Sequence, residues 1–120
     1  MSEIIYMPHA GHLCVSDYCR FRLNTYVNGY IVSTVGEYIE FLKRLSLTTE
    51  ASFTSLGCDE DLNPTYYETK VFKAIKGNSQ CCPYEADIEK EVLTKRYKTF
   101  KQAFNGHITL VEKTRIKGPE

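Results

Sequence analysis

No run of apolar residues in this chain approaches the roughly 20 that a membrane-spanning helix needs. Neither sign of charge is in excess, since 15 Lys and Arg balance 15 Asp and Glu. The first lack predicts a chain without a membrane span. The second disfavours a general nucleic-acid coat, which relies on basic excess to neutralise phosphates. The N-terminus lacks the basic flank and apolar stretch of a signal peptide. Five cysteines (Cys14, Cys19, Cys58, Cys81 and Cys82) are an odd number and include no C-x-x-C pair. Together these features predict reduced thiols in the cytoplasm. Internal repeats and low-complexity segments are absent too. With 120 residues and ordinary apolar and charged fractions, the chain reads as one domain, residues 1–120.

What is present is a β-hairpin. Arg20 to Val27 alternates in character, Asn28-Gly29 supplies the two positive-φ positions of a type I′ turn, and Tyr30 to Val35 returns. A two-residue turn puts Phe21, Leu23, Thr25 and Val27 on one face with Tyr30, Val32 and Thr34. Arg22, Asn24, Tyr26, Ile31, Ser33 and Val35 fall on the other, and the first face is the expected core side.

Elsewhere, Ile4 to Met7 reads as a short strand stopped by Pro8, and His12 to Val15 as another. Tyr38, Phe41, Leu42 and Leu45 recur at helical spacing, which predicts a short helix near residues 38–46. Ser46 to Thr65 is turn-rich, with a short strand near Phe53. Tyr66 to Ile75 is β-branched and aromatic, hence a strand ended by Gly77-Asn78-Ser79. The C-terminal helix opens on the capping box Thr99-x-x-Gln102 and closes at Gly118-Pro119. Its apolar stripe runs Tyr97, Phe100, Phe104, His107, Ile108, Val111, and Lys95, Lys98, Lys101 and Arg115 form its polar side. Gly106 inside that helix costs about 1 kcal/mol against alanine, so a close neighbour is expected there. The fold class is α+β: a mostly antiparallel sheet of three to five strands packed against the C-terminal amphipathic helix.

Three segments carry a resemblance. They are Cys19-Arg20-Phe21 through Val32-Ser33-Thr34-Val35-Gly36-Glu37-Tyr38; Gly57-Cys58 with Tyr67-Glu68-Thr69-Lys70-Val71-Phe72; and the spacing of Tyr97, Thr99, Ala103 and Gly106-His107. Together they resemble a group of small, uncharacterised proteins encoded by tailed bacteriophages and prophages. The chain departs from that group at Lys70, where methionine is expected, and over Ile39 to Ser55, which has no counterpart. The resemblance implies a phage-encoded protein in the cytoplasm of an infected bacterium, and it implies no activity.

Several constellations bear chemistry. Cys58, Cys81, Cys82 and His107 are ligand types for a structural zinc, which would pin the last helix to the sheet. The alternative makes Cys58 and Cys82 small core residues and His107 a hydrogen-bonded core histidine. His9, His12, Cys14 and Cys19 form a second such set. Asp61 ahead of Glu68-Thr69-Lys70 has the pattern of a metal-dependent nuclease, two carboxylates holding Mg²⁺ and a lysine placing water. Its plain reading is a cross-strand ion pair. Arg20, Arg22, Tyr26 and Tyr30 make an aromatic–arginine hairpin suited to anchoring a partner. The favoured function is therefore binding without catalysis, to a host, defence or phage protein or to a small anionic ligand. A metal-dependent nuclease and a zinc-stabilised nucleic-acid module are the alternatives. Monomer and homodimer both fit the sequence.

Overall fold

The computed structural model describes residues 3–7, 19–38, 53–78 and 80–119. Among these residues five strands, β1 (Ile4–Tyr6), β2 (Cys19–Val27), β3 (Tyr30–Tyr38), β4 (Tyr67–Lys76) and β5 (Tyr84–Tyr97), precede one helix, α1 (Phe100–Ile116). The strands lie in the sheet in chain order and every neighbouring pair is antiparallel. This is a meander carrying a helix across one face, an α+β fold. Among the described residues no helix is long and apolar enough to cross a membrane.

Local chemistry explains most of these elements. Asn28 and Gly29 sit at φ 51° and 83°, and Val27 pairs with Tyr30, so the turn between β2 and β3 has two residues as its Asn-Gly demands. At the start of α1 the Thr99 side chain accepts from the Gln102 amide, and Gln102 Oε1 accepts from the Thr99 amide. Gly118, at φ 94°, turns the chain out of the helix.

The hairpin face chosen from the sequence is the one that α1 covers. Val27, Val32 and Val71 pack against Leu110 and Val111, and farther along Phe21 and Tyr67 enclose Ala103. The far face is buried as well at its centre, where Met7, Ile31 and Cys82 form a second cluster flanked by Ile5, Tyr26 and Tyr84. Gly106 has the close neighbour expected of it. An added Cβ there would stand 2.5 Å from the Tyr97 hydroxyl and 2.6 Å from its ring.

Three expectations need revision. Lys95 and Tyr97 belong to β5, not to the last helix. That strand forms an edge of the described sheet, so half of its residues are exposed and none is buried, and its pairing with β4 shifts register around Phe72. Both features erase the two-residue alternation by which a strand is recognised, and its charges discourage further pairing at the edge. Second, α1 is rotated from the stripe read in the sequence. Ala103, His107, Leu110, Val111 and Thr114 face the sheet, whereas Phe100, Phe104 and Ile108 are 53%, 42% and 52% exposed. Ala103 and Thr114 let the helix approach closely; phenylalanine at the contact would hold it off. Third, Tyr38 ends β3 and pairs with Thr54 in an isolated bridge. The rest of the helix expected near residues 38–46 lies outside the described residues, as does the strand expected over residues 12–15.

Candidate functional site

His107 lies at the centre of the helix–sheet interface, 1% exposed. Its Nε2 is 2.8 Å from Thr25 Oγ1 and its Nδ1 is 2.7 Å from Thr34 Oγ1, which in turn lies 2.6 Å from Thr69 Oγ1. A neutral imidazole donates from one nitrogen and accepts at the other, so both ring positions are used. Burial lowers the His107 pKa to about 4, and the ring is neutral at pH 7. Its two bonds tie α1 to β2 and β3.

This placement separates the four residues of the expected zinc set. His107 is on the α1 side of the sheet, and Cys82 packs with Ile31 on the far side. Cys81 is exposed beside Cys82, and Cys58 is exposed in the loop before β4. Among the described residues no group of three or more His, Cys, Asp or Glu side chains is arranged to hold a metal. Of the second set only Cys19 is described, and it is buried at the start of β2.

Glu68 and Lys70 do share a face of β4, but each meets a cross-strand partner on β5. Arg96 Nε donates to Glu68 Oε2 at 3.1 Å, and Lys70 Nζ lies 2.5 Å from Glu91 Oε1. Asp61 instead lines an open cleft of ≈ 550 Å³ with Cys58, Asp59, Glu60, Thr94 and Arg96. Within the cleft, Asp59 Oδ1 accepts from the backbone amides of Asp61 and Asn63, each at 2.9 Å, and its other oxygen meets Lys98 Nζ at 2.9 Å. The Lys98 bond and these amides hold its pKa down at about 2. The acidic run thus ties the loop to the end of β5. Removing the charge of the buried Glu68 carboxylate while keeping its shape, as in Glu68→Gln, is expected to lower stability by about 1–2 kcal/mol. Urea unfolding measures this, and an unchanged midpoint would mean that the Arg96 contact adds nothing.

The hairpin residues divide between the two faces. Arg20 and Arg22 are exposed, and Arg20 lies over the Phe53 ring at 5.6 Å with Glu37 at 4.0 Å. Glu37 also accepts a 2.8 Å hydrogen bond from the Tyr67 hydroxyl, whose pKa is raised to about 12 by burial and by that carboxylate. Tyr26 stacks on Tyr84 with centroids 3.8 Å apart. Tyr30 packs on the opposite side against the Val27–Leu110 cluster. Arg20, Arg22 and Tyr26 therefore share a face that Tyr30 does not.

The surface missed in the sequence is a ridge on α1. Buried Tyr67 meets Phe21 edge-on at 5.5 Å, Phe21 meets Phe100 at 5.1 Å, and Phe100 stacks on Phe104 at 6.1 Å. The rings thus run from the core into solvent, and Ile108 continues the row one turn on. The signal was present as two apolar rows on one helix, 103/107/110/114 and 100/104/108, about 100° apart. Periodicity alone does not say which row turns inward. Comparisons with protein-family models, curated proteins and solved structures give no match.

Proposed function

We propose that the protein acts by binding another protein through the Phe100–Phe104–Ile108 ridge, without catalysis. What supports this reading is the exposure of three large apolar side chains in one row, with the Phe100 ring held from below by Phe21 and the Phe104 ring stacked on Phe100. Rigid, half-exposed aromatics lose little entropy when covered, which makes them good anchors. Charge indicates the partner's chemistry. Lys101 is exposed beside the ridge, about 60° round the helix from its centre, and Glu112 is engaged by Arg115. An amphipathic helix with an acidic flank fits such a surface, its apolar row against the ridge and a carboxylate near Lys101. The resemblance to tailed-phage proteins points to a host, defence or phage component of the infected cell as its source.

The double substitution Phe100→Ser/Phe104→Ser tests the reading, with bait protein and variant exposed in parallel to lysate of phage-infected bacteria. The native protein is expected to retain one dominant partner that the variant loses at least tenfold, with both baits equally folded by circular dichroism. Lys101→Glu should weaken the same capture and steepen its loss at low salt. Equal retention by the double variant, or no partner for either bait, overturns the proposal.

A further inference from the structure

The turn between β4 and β5 carries two adjacent cysteines whose sulfurs lie 3.0 Å apart. They differ in access. Cys81 is exposed, whereas Cys82 is 7% exposed and packs against Met7 and Ile31. The turn around them is tight: the Gly77 amide donates to the Pro83 carbonyl at 2.8 Å, and a Cβ on Gly77 would stand 2.7 Å from the Cys82 carbonyl oxygen.

We propose that Cys81 and Cys82 form a dithiol modification site that exchanges with small disulfides, of which oxidised glutathione is the type, and closes to a vicinal disulfide. The accessible Cys81 thiolate attacks one sulfur of the small disulfide. Its S–S bond breaks, one small thiol leaves with a proton, and Cys81 is held in a mixed disulfide. Cys82, already in contact, then attacks the Cys81 sulfur and expels the second small thiol, which takes up the remaining proton. Two protein thiols are oxidised by two electrons in all, and one small disulfide is reduced to two thiols.

Covalent geometry sets the character of the product. Neighbouring Cα atoms are about 3.8 Å apart across a trans peptide, shorter than the range of about 4.4–6.8 Å in which disulfides are relaxed. The ring is therefore strained and easily reduced, which suits a reversible mark and not a structural bridge. Closing it reorients the Cys81–Cys82 peptide, next along the chain to the Cys82 carbonyl that abuts Gly77, and draws the Cys82 sulfur away from Met7 and Ile31. The β4–β5 turn loosens as a result.

The test is treatment of the native protein with oxidised glutathione, read by intact mass, peptide mapping and hydrogen exchange. A chain lighter by two hydrogens is expected, with the link mapped to Cys81–Cys82, reversal by dithiothreitol and faster exchange of the Gly77 amide. Cys81→Ser, at an exposed position, is expected to keep the fold and lose the reaction. Cys58→Ser, also exposed, is expected to keep both. A glutathione adduct that persists on Cys81 of the native protein overturns the proposal. So does a link through Cys14, Cys19 or Cys58, or an absence of reaction.

Discussion

Replacing His107 with alanine is expected to destabilise the protein by about 3–5 kcal/mol, a large share of the stability of a domain this size. The loss has two sources. A cavity opens where the ring filled the space between α1 and the sheet, and the buried Thr25 hydroxyl loses the imidazole that bonds it at 2.8 Å. Thr34 suffers less, because it keeps its 2.6 Å contact with Thr69. His107→Leu separates the two sources by refilling the space without a polar group. It should remain about 1–3 kcal/mol less stable than the native protein. Adding Thr25→Val is then expected to recover part of that, since no hydroxyl is left unsatisfied. Urea unfolding of the native protein and the three variants measures each step, and a His107→Leu variant as stable as the native one would remove the network from the account of stability.

The same residue predicts a pH dependence. In the fold its pKa is lowered to about 4, from an ordinary 6.5 in the unfolded chain. Above pH 6.5 the ring is neutral in both states and makes no contribution that varies with pH. As pH falls from 6.5 towards 4, the unfolded chain takes up a proton that the fold excludes, so stability declines. The full penalty, reached below pH 4, is about 3 kcal/mol. Asp59, held at about 2 against an ordinary 3.8, loses its contribution only at lower pH. The interval from 6.5 to 4 therefore reports on His107 when native protein and His107→Leu are compared, because His9 and His12 are common to both. Equal slopes in the two proteins would sink the prediction.

Gly36→Ala is expected to cost about 3 kcal/mol, at the upper end of the usual overpacking range. Gly36 lies within β3, opposite Tyr67 on β4 and Phe21 on β2. A Cβ there would overlap a carbon of the Tyr67 ring and stand 2.8 Å from the Tyr66 carbonyl oxygen. The ring is confined between Phe21 and Ala103, and the carbonyl is fixed because it accepts from the Glu37 amide at 3.2 Å. Neither neighbour gives way without disturbing the ladder. Gly29→Ala is the informative comparison, since nothing lies within 4 Å of its added Cβ and only the φ of 83° is unfavourable. It should cost about 1–2 kcal/mol. Thermal unfolding of the pair should rank Gly36→Ala as the more damaging, and the reverse order would mean that Tyr67 repacks freely.

The features legible in the chain are those whose cause lies within a few residues. Asn28-Gly29 encodes the turn and with it the hairpin register. Thr99 with Gln102 marks the start of α1 and Gly118 its end, and the β-branched, aromatic run before Gly77 marks β4. β5 was not legible because an exposed edge strand with shifted pairing lacks the alternation that identifies a strand. Gly106 lay between these cases: its cost in a helix announced a neighbour, but not that the neighbour is Tyr97.

Sequence alone thus determined the α+β class, the hairpin, the limits of α1 and the face of the hairpin that α1 covers. The tertiary structure decided which apolar row of α1 turns inward, that His107 meets Thr25 and Thr34, and on which side of the sheet Cys82 lies. The reason is distance along the chain. His107 is bonded to residues 82 and 73 positions away, and the surface that selects the inner row is assembled from β2, β3 and β4 together. A helix with two usable rows contains no local signal for choosing between them. The choice is made by the shape of the sheet, where Ala103 and Thr114 fit and Phe100 and Phe104 are left outside.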